Sequence, residues 1–211
     1  MRIDDSGART KVWLDDDEAD TLQRTLEKQA WERGIAGLLM LRCGLRSEET
    51  TTVTPNDVER SKDGTSWFLE VQGKNTKGGA KTTRKAWLPD DVEKALFNFQ
   101  RERDISDDEP YLPYTPRSIQ NWITNNHGPD KQGTGAADVL AQDPDKDDDW
   151  EHVTSHDLRR HWAHYHLVEK RVAPRVMMSI GGWSSYSAIE PYLTEPSTKN
   201  IIEEMSAVQT Q

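Results

Sequence analysis

Helix-type sequence gives way to β-type sequence once in this chain, between Thr51 and Leu88, and then returns. Thr51–Val58 is rich in β-formers but broken by Pro55, while Ser66–Gln72 and Thr82–Leu88 alternate with β-branched and aromatic residues. The segment between the last two, GKNTKGGAK, is rich in Gly and Lys and reads as a hairpin loop. The expectation is a mainly α domain carrying one small three-stranded antiparallel β-sheet.

The flanking segments carry helix signals. Asp15–Ala30 opens with acids, as the helix dipole prefers, and Trp31–Cys43 is apolar and stops at Gly44. Leu45–Glu49 reads as a helical turn and Asp91–Arg103 as a helix, and Thr115–Asn126 places Pro116 at its first position. Ser155 is the expected N-cap of a helix over His156–Arg171. Further helical stretches are expected from Pro174 to Gly181–Gly182, over Trp183–Tyr192 and over Ser197–Ala207. Residues 1–14 read as a polar, frayed tail, and 127–150 as a long flexible loop rich in Gly, Pro and Asp. The domain proper is therefore expected over 15–207.

The formal charge is -10, which by itself argues against a nucleic-acid partner. Its distribution matters more than its sum. Acid gathers in Asp15–Glu18, Asp107–Glu109 and the run Asp143–Asp149, whereas Lys74, Lys77, Lys81, Arg84 and Lys85 form a stretch without acid. Arg159, Arg160, His161, His164 and His166 form a second basic island. An Asp-rich surface with few lysines suits a salty cytoplasm and points to a halophilic source. The single Cys43 excludes an internal disulfide, fits a reducing compartment and lies in an apolar run suited to packing. The N-terminus lacks the apolar stretch of a secretion signal, and Ile35–Leu41 is too short to span a bilayer, so a cytoplasmic protein is expected.

Individually the chemistry-bearing residues say little. His156 and Arg159 lie one helical turn apart and share a face, Arg46 has Glu49 three residues on as a local ion-pair partner, and a lone tyrosine carries no signal. Their order is the informative feature: Gly44-Leu45-Arg46-x-x-Glu49, a Lys-bearing hairpin, His156-Asp157-Leu158-Arg159, Gly182-Trp183, and Tyr192 nine residues after Trp183.

This order resembles the tyrosine recombinases, the phage-integrase class that includes Xer recombinases and lambda-type integrases, over roughly Asp15 to Ala207. The resemblance implies that Arg46 and Arg159 clamp the scissile phosphate of duplex DNA. It implies that Tyr192 attacks phosphorus, that His156 assists proton transfer and that a hairpin lysine protonates the departing 5′ oxygen. Lys74, after Gly73, matches the family's Gly-Lys turn best, with Lys77 and then Lys81 behind it. Trp183 stands where many relatives have His; an indole N–H only donates, so Trp183 supports the phosphate or the pocket and is no base. Glu49 is expected to orient the arginine rather than to react. Lys77, Lys81, Arg84 and Arg160 are candidate DNA contacts, and His161 a packing or backbone contact. Ser184 and Ser185 are expected to cap the next helix, and His127, His152, His164 and His166 to lie on the surface.

The product would be a 3′-phosphotyrosyl link, reversed on rejoining, with no metal, nucleotide or other cofactor needed. The implied activity is site-specific integration or excision, on a homo-oligomeric, tetrameric synapse and with accessory DNA-bending proteins. A type IB topoisomerase, a dimer resolvase and a non-catalytic DNA-binding relative are the alternatives. The helix at 197–207, with its stripe of Ile201, Ile202 and Met205, would either pack on a neighbouring protomer or on its own domain. The N-terminal helical domain that relatives use to grip the far side of DNA is expected to be absent.

Overall fold

A computed structural model describes residues 1–5, 10–73, 83–125, 133–145, 148–193, 202, 205 and 206. Helix α1 (Asp16–Gln29) starts on a reciprocal cap: Glu18 N donates to Asp15 Oδ1 at 2.9 Å, and Asp15 N donates to Glu18 Oε2 at 2.8 Å. Its buried stripe Ala19, Leu22 and Leu26 packs on α2 (Trp31–Leu41), which buries Ile35, Ala36, Leu39 and Met40. Cys43, just after α2, is fully buried, and that burial pushes its thiol up to about 12, so it packs as a small apolar residue.

A short α3 (Ser47–Thr50) leads to the sheet, in which β3 (Val58–Arg60), β4 (Trp67–Gln72) and β5 (Thr83–Leu88) pair antiparallel in that order. The fold class is thus the one expected, but the first strand lies later than Thr51–Val58, because Pro55 opens a 3-10 turn over Pro55–Asp57 instead of joining the ladder. Leu69 faces Ala86 and Val71 faces Arg84 across the β4–β5 ladder; Leu69, Val71, Ala86 and Leu88 are buried on the inner face. Helices α4 (Asp90–Arg103) and α5 (Pro116–Ile123) complete the larger core with Val92, Leu96, Phe99, Ile119 and Ile123.

Two segments are more ordered than their composition suggests. In the described parts of the expected tail over 1–14, β1 (Arg2–Asp4) and β2 (Lys11–Trp13) pair antiparallel, and Val12, Trp13 and Leu14 are buried. The hairpin docks on α7 (Ser155–His164), where Val12 N donates to Asp157 Oδ1 at 3.0 Å and Arg160 Nη1 donates to Val12 O at 3.2 Å. Nor is 127–150 one flexible loop. Its described part contains α6 (Ala136–Ala141), with Ala136, Ala137, Leu140 and Trp150 buried. Buried Asp138 anchors it by accepting from Gly135 N at 2.9 Å and Asn125 N at 2.8 Å.

Helix α7 starts one residue earlier than expected, with Thr154 rather than Ser155 as N-cap; Asp157 Oδ2 accepts from Thr154 N at 2.8 Å. It passes into a π-helical turn over Tyr165–Glu169, followed by α8 (Pro174–Gly181), α9 (Tyr186–Ile189) and a 3-10 turn over Glu190–Tyr192. These last elements enclose a second, smaller core of Trp162, Ala163, Leu167, Met177, Trp183 and Ile189. Ser185 is indeed the N-cap residue of α9, though its hydroxyl meets Ser187 rather than a backbone N–H. The expected helix at 197–207 lies outside the described residues except for Ile202, Met205 and Ser206, which are helical and exposed.

His164 and His166 are half-buried rather than on the surface; His164 stacks edge-on to Trp13, and His166 Nδ1 meets Trp162 O at 2.8 Å. Burial lowers the pKa of both. A histidine so depressed is neutral in the fold and takes its proton first in the unfolded chain, near pH ~6.5. The stability it contributes is complete above that pH and is lost as pH falls from there through the depressed folded value. Thermal melting should therefore drop between neutral pH and about pH 5, and a His164→Gln, His166→Gln double variant should show a smaller drop. An identical pH dependence in the variant would assign the loss elsewhere.

Candidate active site

Arg46 is the residue preceding α3, and the reach of Glu49 back to it closes the turn. Arg46 N donates to Glu49 Oε2 at 2.8 Å and Arg46 Nη1 to Glu49 Oε1 at 2.7 Å. The Glu49 side chain is 6% exposed and that of Arg46 31%, so the carboxylate lies beneath the guanidinium and aims it outward. Arg84 reaches the same carboxylate from β5, with Nη2 at 2.9 Å from Glu49 Oε2. Its side chain is nine-tenths buried and turned to Glu49, so little of it is exposed for the DNA contact expected of it. Alternation along β5 puts Arg84 on the inner face with Ala86 and Leu88, a signal present in the sequence but hidden among surface lysines.

Arg159, on α7, is buried and held by two carbonyls: Nη1 donates to Gly44 O, and Nη2 to Gly181 O at 2.6 Å. Its guanidinium lies 4.5 Å from the centre of the Trp183 ring, and the Tyr192 ring lies 5.3 Å from that of Trp183. Burial first, and then the charge of Arg46, lower the pKa of Arg159; Glu49 and Tyr192 oppose the shift, and Arg84 adds to it. Arg46, Glu49, Arg84, Arg159, Trp183 and Tyr192 therefore form one electrostatic neighbourhood. Its cations are crowded and desolvated, a setting that an incoming anion relieves.

His156 is exposed on the first turn of α7, at the rim of a cleft of about 810 Å³. Lys11, Arg117, Gln120, His152 and Arg160 also line it. Lys11 and Arg117 escaped the sequence reading because one lies in the apparent tail and the other starts an ordinary helix; His152, read as a plain surface residue, faces the same cleft. Arg160 is only partly available as a DNA contact: it pairs with Asp157, donates to Val12 O and lies over Trp13, bracing the hairpin. His161 Nδ1 meets Leu14 O at 3.0 Å, the backbone contact expected of it. Lys74, Lys77 and Lys81 lie outside the described residues. Among the described residues no group of His, Cys, Asp and Glu is arranged to hold a metal ion, and no helix is long and apolar enough to cross a membrane.

Comparison with solved structures places this geometry among known folds. The chain matches a XerA recombinase at 18% identity and a TM-score of 0.65, covering 96% of this chain and 66% of that one. It matches the Tn1549 transposon integrase in complex with transposon right end DNA at 15% identity and a TM-score of 0.70, covering 98% and 68%. It matches the XerH site-specific recombinase bound to difH substrate at 16% identity and a TM-score of 0.64, covering 94% and 54%. The chain thus spans between about half and two thirds of the length of these proteins, and at such identities the likeness establishes the fold. A comparison with curated protein sequences gives no match. The model of the phage integrase family matches residues 12–198, from the buried β2 strand past Tyr192, and over that span the chain belongs to the phage integrase family.

Proposed function

We propose that this chain is the catalytic domain of a site-specific DNA recombinase, acting in the integration or excision of a mobile element through a 3′-phosphotyrosyl intermediate. The observation that carries the reading is the gathering of Arg46, Trp183 and Tyr192 about the buried Arg159. A phosphodiester carries one negative charge, and its pentavalent transition state places a second on the equatorial oxygens, which two guanidiniums are suited to bind. In this mechanism the Tyr192 oxygen forms a bond to phosphorus and gives up its proton, with His156 assisting. The bond from phosphorus to the 5′ oxygen breaks, and that oxygen takes a proton from a hairpin lysine, Lys74 first, then Lys77 or Lys81. Rejoining reverses these steps, so the reaction draws on no cofactor. Trp183 donates its indole N–H or walls the pocket.

The partner is duplex DNA at an attachment site, bound by a homo-oligomer, a tetramer in the full synapse, with accessory DNA-bending proteins and in the cytoplasm. The basic cleft beside His156 is suited to the phosphates flanking the scissile one. The charge of -10 supports a halophilic source. A melting temperature that does not rise in molar salt would remove that part of the reading.

Covalent trapping tests the activity. Nicked duplexes from DNA flanking the gene are incubated with the protein, denatured and digested, and the peptide carrying the nucleotide remnant is sequenced. A remnant on the peptide that contains Tyr192 is expected. DNA binding without any adduct across those duplexes would favour a non-catalytic relative instead.

A further inference from the structure

The Glu49 carboxylate is shared unequally. One oxygen, Oε1, accepts from Arg46 Nη1 at 2.7 Å; the other accepts from Arg46 N at 2.8 Å and from Arg84 Nη2 at 2.9 Å. The remaining donors of Arg84, Nε and Nη1, are buried and have no hydrogen-bond partner among the described residues. A fold seldom keeps such groups without a use for them. Arg84 is also wedged in place: a Cβ on Gly182 would fall 2.5 Å from Arg84 Cδ, so the side chain lies against the Gly181–Gly182 bend that holds Arg159.

We propose that Arg84 is a positioning residue for strand cleavage, one that keeps Glu49 from neutralising Arg46. The inference rests on the recombinase reading of this site. With Arg84 engaged, Oε2 is occupied, and Arg46 meets the carboxylate through one guanidinium nitrogen, leaving its outer edge for a phosphate oxygen. Without Arg84, Oε2 keeps only the bond from Arg46 N and can turn toward the Arg46 guanidinium, approaching the two-pronged pair that arginine and carboxylate favour. The charge count points the same way. Three guanidiniums against one carboxylate leave two positive charges among Arg46, Arg84, Arg159 and Glu49. Two positive charges match the doubly charged transition state better than the singly charged ground state, so Arg84 acts on rate more than on affinity.

The test compares wild type, Arg84→Met, Arg84→Lys and the double variant Arg84→Met, Glu49→Gln. Adduct formation is timed on a nicked duplex at saturating protein, and Kd is measured for the same duplex. Arg84→Met should slow the adduct about 10- to 100-fold and change Kd less than about threefold, with Arg84→Lys recovering much of the rate. The double variant removes one positive and one negative charge and restores the balance, so it should be faster than Arg84→Met alone. A purely structural role predicts that the rate follows the melting temperature across the set, so melting is measured beside the rate, and the rescue counts only where the rate recovers beyond the stability. Arg84→Gln replaces Arg84→Met if the latter does not fold.

Inorganic phosphate, largely dianionic at about pH 8, reads the pocket without DNA. Calorimetry should give weaker binding to Arg84→Met and regained binding in the double variant, even if no duplex yields an adduct. An Arg84→Met protein equal to wild type in both assays, or a double variant no better than Arg84→Met, overturns the proposal.

Discussion

A Tyr192→Phe protein is expected to form no covalent adduct with DNA while binding the same duplex within about twofold of wild type. The substitution removes one oxygen and keeps the ring. That ring, half-buried and 5.3 Å from Trp183, belongs to the packing of the smaller core, so the fold should survive. The ring stands beside Trp183, over which lies Arg159, one of the two cations proposed to hold phosphate. Removing a nucleophile costs about 10⁴-fold or more, beyond the reach of an ordinary trapping gel. Persistence of the adduct would move the chemistry to another hydroxyl. Tyr186, six residues earlier and 55% exposed, would be examined first.

Gly44→Ala is expected to lower stability by about 2–5 kcal/mol, a fall in melting temperature on the order of 10 °C for a chain of this size. Gly44 has φ +67, in the left-handed region that penalises a side chain. A Cβ there would fall 2.3 Å from Cε3 of Trp162, a fully buried ring stacked on Trp183 at 5.9 Å. Trp162 has no room to retreat, and Gly44 O is also a partner of Arg159. Activity should fall with stability, unlike in Tyr192→Phe, where the two separate. A calorimetric melt within about 2 °C of wild type would show that the bend relaxes cheaply.

What the sequence revealed tracks how locally each feature is determined. Helix α1 announces itself through Asp15 and Glu18, α5 through Pro116 and α8 through Pro174 and Gly182, because caps and breakers act within a turn. The N-terminal hairpin was missed because its partner is remote: Val12 is tied to Asp157, 145 residues away. Helix α6 depends likewise on the bonds Asp138 receives from Asn125 and Gly135, which no composition average records. At the site, the order of the candidate residues is readable, since it is a linear property. The inward turn of Arg84, the bracing role of Arg160 and the enrolment of Lys11 and Arg117 along the cleft depend on how distant segments meet.

The two interiors described above have a thermodynamic consequence for the nucleophile. Tyr192 rides on the smaller one, while Glu49 and the strand that carries Arg84 belong with the larger. Arg159 stitches across the seam between them, with one nitrogen on Gly44 O and another on Gly181 O. Sub-global openings cost less than unfolding a whole domain, and the smaller core is the part whose opening would release Tyr192. A phosphate seated on Arg159 and Arg46 would favour the closed form of that core, and by linkage the closed form would favour the phosphate. Under the proposed function, occupancy by DNA and delivery of Tyr192 would then be two readings of one equilibrium.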